Sequence, residues 1–254
     1  MKTSLLVLFV CVFLAGCGAR SGSGGLSSDM GSREVQLRLD LVESHVKNDQ
    51  PQRALQELLK VEDQAGHLSR FHFDAGMVYL GLNELEKSRE GFARATQIDD
   101  DFGEAWNNLG KVLEALGKIQ EAEAAYTKSI SILTYLTPEF PAYNLGAMYL
   151  GQGRAKDAEA AARKALAKNW RYLPGYKLLG EALIAQNRVD EAETVLRDGM
   201  EADLESTYLT LALAELHMRT GKQHEARELF ERIVTLNPKS NDAKVARDYL
   251  GILQ

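Results

Sequence analysis

The sequence predicts an all-α solenoid: six stacked helix–turn–helix repeats wound into a right-handed superhelix and closed by a C-terminal capping helix. Two observations predict it. One set of small and apolar residues recurs with a 34-residue spacing between residues 35 and 240, and a fixed period of about 20–50 residues marks a repeat architecture. Within each period the apolar residues fall at i, i+3, i+4 and i+7, one face of a helix, and turn-forming residues divide the period into two helices, A and B.

The clearest copy carries Trp106, Leu109, Gly110 and Leu113 on helix A, then Ala122, Tyr126 and Ser129 on helix B. One period earlier stand His72, Ala75, Gly76, Tyr79, Ser88, Phe92 and Ala95; one earlier still, a degenerate copy with Arg38, Leu41, Val42, His45, Ala54, Leu58 and Val61. Downstream follow Ala142, Leu145, Gly146, Tyr149, Ala158, Ala162 and Ala165, then Tyr176, Leu179, Gly180, Leu183, Ala192, Leu196 and Gly199. The sixth copy has Thr210, Leu213, Ala214, His217, Ala226, Phe230 and Ile233, closed by Pro238. These offsets resemble the tetratricopeptide repeat (TPR) pattern. The small residue of helix A (Gly76, Gly110, Gly146, Gly180, Ala214) lets helix B approach, and the small residue of helix B (Ala54 to Ala226) answers it. A lone hairpin cannot bury its apolar face, so neighbours stack and leave a concave surface.

The repeats are read as residues 35–68, 69–102, 103–136, 139–172, 173–206 and 207–240, with the capping helix at 241–254. Gly117-Lys118, Gly151 to Arg154, Asn187-Arg188 and Gly221-Lys222 mark A-to-B turns. The period breaks once: Gly110 to Gly146 is 36 residues, two more than elsewhere. Pro138 and Pro141 in this insertion are expected to stop one helix and start the next, since proline fits a first turn. Two readings are open, a harmless longer loop or a kink that displays Tyr135 and Phe140.

Residues 1–16 read as a secretory leader, with Lys2 as the positive region and an apolar run from Leu5 to Leu14. Leu14-Ala15-Gly16-Cys17 resembles the lipobox cut by the bacterial lipoprotein signal peptidase. That resemblance implies cleavage before Cys17 and a diacylglycerol and N-acyl chain on it, giving the stable anchor that several acyl chains provide. Gly18, where an inner-membrane protein of this class usually has Asp, implies the outer membrane, facing the periplasm. Residues 17–34, rich in Gly and Ser, read as a flexible tether; about 14 such residues span roughly 20 Å.

Cys11 lies in the leader and Cys17 carries lipid, so no disulfide or Cys-based metal site is expected. The formal charge is −6, from 30 basic and 36 acidic residues, and becomes −7 once Lys2 is lost. A mildly acidic chain without a basic stripe is a poor nucleic-acid binder. Asp99-Asp100-Asp101 lacks the other oxygen ligands of a calcium loop and reads as a solvated turn. His45 and His217 are expected between helices, and no histidine pair shows zinc spacing with a third ligand. No phosphate loop or Gly-x-Ser-x-Gly elbow occurs. The expectation is a binding protein without metal or cofactor, not an enzyme.

In this fold, positions 2, 5, 9 and 12 of helix A line the concave surface. They place there Gln36, Leu39, Glu43 and Val46 from repeat one, Arg70, Phe73, Met77 and Leu80 from repeat two, and Glu104, Asn107, Lys111 and Glu114 from repeat three. Repeat four adds Phe140, Tyr143, Ala147 and Leu150. From these the candidate groove is Leu39, Phe73, Met77, Leu80, Asn107, Lys111, Phe140, Tyr143 and Leu150, apolar anchors in a polar frame suited to an extended segment or an amphipathic helix. The TPR domains that clamp chaperone C-termini use a Lys-Asn, Asn, Lys-Arg series. Asn108 matches its middle member, but Phe73, Met77 and Phe140 stand where the others belong, so that function is not expected.

Lipobox, short tether, six repeats and a short cap together resemble the TPR lipoproteins of type IV pilus biogenesis, the pilotins of the outer-membrane secretin. The segment Tyr135-Leu136-Thr137-Pro138-Glu139-Phe140-Pro141 before Asn144-Leu145-Gly146 is similar to the insertion those proteins carry. The resemblance implies that the chain binds secretin subunits and promotes their localisation and oligomerisation in the outer membrane. The alternative is a periplasmic TPR lipoprotein adaptor for peptidoglycan-remodelling enzymes; an enzyme-associated glycosyltransferase module is disfavoured because no catalytic domain follows. The oligomeric state is open, with a monomer as the expectation.

Overall fold

The computed structural model describes residues 24–253, with side chains from Ser32 onward. The lipobox, Cys17 and the leader lie outside the described residues. Among those described, the fold is a TPR solenoid of α-helices without strands. Repeat one pairs α1 (Gly24–Lys47) with α2 (Pro51–Leu59), followed by a single extra turn, α3 (Glu62–Ala65). Repeats two to six pair α4 (Ser69–Gly81) with α5 (Leu85–Ile98), α6 (Gly103–Ala115) with α7 (Ile119–Ser131), α8 (Glu139–Gly151) with α9 (Ala155–Lys168), α10 (Leu173–Ala185) with α11 (Val189–Ala202), and α12 (Thr207–Arg219) with α13 (Gln223–Leu236). The chain closes on α14 (Asn241–Ile252).

The period shows in the backbone itself. Each A helix ends on a residue in the left-handed region, at Asp49, Asn83, Gly117, Gly153, Asn187 and Gly221, with φ between 54° and 78°. The next residue's N–H then turns back to a carbonyl in the last turn of the helix, as Lys118 does to Leu113 at 2.8 Å and Arg188 to Leu183 at 2.9 Å. This is the Schellman closure, which favours Gly and tolerates Asn or Asp at the left-handed position. Asp49, Asn83 and Asn187 fill it where the sequence has no Gly.

Small residues set how closely the helices pack. Ala54, Ser88, Ala122, Ala158, Ala192 and Ala226 are each fully buried. A Cβ on Gly76 would lie 2.6 Å from the Phe92 ring, and Ser88 donates to the Gly76 carbonyl at 2.8 Å. Apolar clusters each span neighbouring hairpins, the largest joining Phe92, Leu109, Tyr126, Leu145 and Tyr149, as a quasi-one-dimensional fold requires. The cap behaves as one more A helix: Ser240 accepts from the Ala243 N–H at 3.0 Å, Ala243 and Ala246 are buried, and Tyr249 stacks on Phe230 at 4.8 Å.

Several expectations change. The helix α1 begins at Gly24, inside the stretch read as tether: once Val35, Leu39 and Val42 anchor a helix, each added residue costs little because nucleation is already complete. Leu41, the counterpart of buried Leu109, is exposed, since no described hairpin packs on that face of α1. Pro138 does not stop helix B of repeat three. That helix, α7, ends at Ser131, and residues 132–138 form a loop with Pro138 as the N-cap of α8 and Pro141 in its first turn.

Tyr135 is not displayed by this loop. Its ring covers the start of α6, where a Cβ on Gly103 would meet it at 2.5 Å. Leu133 and Leu136 are exposed instead, together with Phe140.

Candidate functional site

The concave surface of the first four repeats holds two hollows that share Glu104. The first, of about 270 Å³, opens between α1, α4 and α6. Phe73, Met77 and Phe102 form its apolar wall with Val46, and Glu43, Lys47, Arg70, Asp74 and Glu104 form its polar side. Phe73 is half-buried and wedged, its ring centroid 4.9 Å from Phe102 and 5.6 Å from Phe92. The second, of about 410 Å³, lies between α6 and α8 and is lined by Asn107, Asn108, Lys111, Tyr135, Thr137, Phe140 and Asn144.

Asp74 is the unusual member of the first hollow. It is only 5% exposed, and its Oδ2 has no hydrogen-bond partner. The nearest cation is Arg70, one turn earlier, with Nε at 3.7 Å. Arg70 is already engaged across the helix gap, with Nη2 2.7 Å from Asp40 and 3.4 Å from Glu43 on α1. Lys47 is 2.5 Å from Glu43. Burial therefore pushes the Asp74 carboxyl up to about 7 against the pull of Arg70, with Glu43, Asp40 and Glu104 adding to the rise. Glu104 is also raised, first by desolvation and then by Glu43.

The second hollow is amide-lined, with Glu104 and Lys111 as its charged members. Asn144 Nδ2 donates to Asn107 Oδ1 at 3.0 Å, and Asn108 Nδ2 donates to the Glu104 carbonyl at 3.0 Å. Lys111 and Phe140 stand at its rim, both exposed. The Phe140 ring meets Tyr172 edge-on at 5.5 Å, and Tyr143 meets the same ring at 5.6 Å. Burial pushes Tyr172 up to about 12, with the neighbouring Tyr143 and Tyr208 adding to it.

Of the residues proposed for the groove, Phe73, Met77, Asn107, Lys111 and Phe140 line these hollows. Leu39 does not: it is 1% exposed and packs with Val35, Val42 and Phe71, because its position faces the neighbouring A helix, α4. Leu80, Tyr143 and Leu150 are half-buried packing residues between hairpins and line neither hollow. Glu114 instead accepts the Tyr126 hydroxyl at 2.8 Å.

Sequence reasoning missed Asp74, Phe102 and Asn144. A signal for two of them was present. One helix A position carries Asp40, Asp74, Asn108 and Asn144 in the first four repeats and turns apolar at Leu178 and Ala212 in the last two. A polar residue recurring between buried neighbours marks a face that is not simply core.

Three of the five histidines make contacts within the fold. His72 lies 2.8 Å from the Gly66 carbonyl, His45 is 3.2 Å from Gln50 Oε1, and buried His217 is 3.3 Å from Glu193. Asp99 to Asp101 form a turn in which Asp99 Oδ1 accepts the Asp101 N–H and Asp100 pairs with Lys128. Among the described residues no helix is long and apolar enough to cross a membrane.

Comparison with known proteins agrees with the geometry. Residues 103–133, 149–211 and 209–240 match models of the tetratricopeptide repeat. The chain is a tetratricopeptide-repeat protein. Among solved structures it resembles PilW, described as a widely conserved type IV pilus biogenesis factor, with a TM-score of 0.68 and 20% identity over 83% of this chain and 97% of that one. Pseudomonas aeruginosa PilF also superposes with a TM-score of 0.68, at 15% identity over 86% of this chain and 98% of the other. At these identities the likeness shows the fold. The human protein O-mannosyl-transferase TMTC3 is 25% identical over 169 residues, 61% of this chain, but the match spans only 18% of that protein. That likeness is to a fraction of an enzyme, and it carries no catalysis to a scaffold-type fold whose work is protein–protein interaction.

Proposed function

We propose that the protein is a lipid-anchored periplasmic scaffold, held to the outer membrane through Cys17, that binds secretin subunits on its concave surface and promotes their oligomerisation for type IV pilus assembly. The observation that carries this reading is the pair of hollows joined at Glu104. Apolar anchors alternate there with polar groups over four consecutive A helices, the form of surface that accepts an extended segment or a helix. The likeness in fold to PilW and PilF supports it, and so does the lipobox-like Leu14-Ala15-Gly16-Cys17.

The test uses two exposed side chains of the second hollow. Lys111→Ala with Phe140→Ala removes two exposed rim residues, while Cys17→Ala removes the anchor. The tagged full chain is expressed in its own host, and capture of the secretin subunit and the yield of its multimers are read in outer-membrane fractions. The double variant is expected to fold normally and to lose capture by about tenfold or more, because it removes an aromatic and a cationic contact of the second hollow together. Cys17→Ala is expected to leave the outer-membrane fraction while still binding. Undiminished capture by the double variant overturns the groove reading; enrichment of peptidoglycan hydrolases in place of the secretin makes this an adaptor for those enzymes.

A further inference from the structure

The first hollow has a wall, a rim and an uncompensated charge. Four carboxylates, Asp40 and Glu43 on α1, Asp74 on α4 and Glu104 on α6, face two cations, Arg70 and Lys47. Both cations are committed to α1 carboxylates at 2.5–2.7 Å. Asp74 is left with a buried oxygen and no donor, and such an oxygen loses its hydration without replacement. Beside it, Phe73, Met77 and Phe102 offer an apolar wall. At about 270 Å³ the hollow is below the roughly 300–1,000 Å³ of small-molecule sites, so a single side chain suits it better than a free ligand.

We propose that this hollow receives one Lys or Arg side chain of the bound partner segment, its alkyl stem lying along Phe73, Met77 and Phe102 and its cationic head donating to Asp74 and Glu104. The inference rests on the groove reading and deepens it, because it names what the partner must present: a cationic residue flanked by apolar ones. Long basic side chains suit such a site, since they bury the stem while the head keeps its polar contacts. Arg70 does not fill this role because its guanidinium points back to α1. An anionic residue is disfavoured by the surplus of carboxylates, and a purely apolar one leaves Asp74 unsatisfied. The groups facing Asp74 are Arg70 on its own helix, Asp40, Glu43 and Lys47 on α1, and Glu104 on α6. The carboxyl titrates near 7 among them, so capture of a cation strengthens as the pH rises through neutrality.

The experiment uses the full chain and n-butylguanidinium as the probe, with n-butanol and butyrate as neutral and anionic controls. Binding is read from the methyl resonance of Met77 in protein labelled at the methionine methyls, assigned by Met77→Leu. Butylguanidinium is expected to shift this resonance saturably at about pH 8 and to bind about tenfold more weakly at about pH 5, where Asp74 is protonated. Asp74→Asn is expected to weaken the probe by about tenfold at the higher pH, the worth of a charge-assisted hydrogen bond, and Glu104→Gln to weaken it less. Butanol binding as well as the cation, or an unchanged affinity in both variants, overturns the cation subsite. Secretin capture by Asp74→Asn at the wild-type level, with Lys111→Ala/Phe140→Ala still defective, also overturns it while the groove reading stands. Loss of probe binding in Asp74→Asn together with full capture by the Lys111/Phe140 variant supports the subsite and overturns the groove reading instead.

Discussion

Gly110 on α6 faces Tyr126 on α7 so closely that a Cβ would lie 2.6 Å from two carbons of the ring. The ring is fully buried, and its hydroxyl donates to Glu114 at 2.8 Å, so it cannot swing aside without breaking that bond. Burial, then the hydrogen bond to Glu114, push the Tyr126 hydroxyl well above its ordinary range, and it remains a neutral donor. Gly110→Ala is therefore expected to cost about 1–3 kcal/mol by overpacking, and Gly110→Leu more. In a chain of this size each kcal/mol lowers Tm by about 2–4 °C, which a melting curve resolves. A Gly110→Leu melt within a degree of wild type would show that the helices do not meet here.

The insertion gives a contrast between neighbours. Tyr135 packs on Gly103 and is half-buried, whereas Leu133 and Leu136 are 95% and 92% exposed. Tyr135→Ala is expected to destabilise by about 1–3 kcal/mol, less than truncation of a fully buried aromatic, because the ring is half-buried. Leu133→Ser with Leu136→Ser is expected to stay within about 0.5 kcal/mol of wild type, as exposed substitutions do. Denaturant titration of the three proteins checks both, and equal losses would place the loop differently.

Glu193 ties repeat five to repeat six. Lys222 Nζ lies 2.7 Å away, Arg197 Nη2 2.8 Å and His217 Nε2 3.3 Å. The hydrogen bond from Lys222, then that from Arg197, hold the carboxyl down at about 2 against the opposing effect of burial, with His217 adding to the depression. A depressed carboxylate stabilises the fold above its unfolded value and ceases to do so as the pH falls through its folded value. The contribution is thus complete at neutral pH and is lost between about 4.5 and about 2. Glu193→Gln is expected to cost about 1–3 kcal/mol at neutral pH, with the gap to wild type closing across that acid window. A gap constant with pH would mean that packing, not charge, is lost.

The residues legible in the sequence are those whose role repeats. Ala122 and Tyr126 could be placed because their counterparts stand one period away on either side, and stacked hairpins need the same small and large residues at each step. Leu39 was misplaced by the same logic. Its position lines a hollow where Phe73 or Asn107 stands, yet a Leu there sinks against α4. Periodicity fixes which helix face a residue is on, not how far its side chain reaches. Tyr135 escaped because it stands just before the two extra residues, 137 and 138, that belong to no repeat, and its contact with Gly103 depends on the path of the loop. Asp74 lies in the polar row of Asp40, Asn108 and Asn144, but its missing donor arises only because Arg70 turns toward α1. That choice is set by the distance between helices, which no pattern in the chain records.

Asp74 gives the last prediction, and its sign is the opposite of that for Glu193. The folded carboxyl is raised from 3.8 to about 7, so between those values the native state holds a proton that the unfolded chain has released. Stability then falls as the pH rises through this window and is flat above it. Asn cannot ionise, keeps the shape of the side chain and brings a donor of its own. Asp74→Asn is therefore expected to match wild type near pH 4 and to be more stable above pH 7. The linkage limit is about 4 kcal/mol; relaxation of Arg70 and Glu43 around the charge reduces the expected gain to about 1–3 kcal/mol. Urea titrations at the two pH values measure it directly. If the variant is instead less stable at the higher pH, Arg70 and Asp74 form a stabilising ion pair despite their 3.7 Å separation, and the hollow holds no charge in need of a partner's cation.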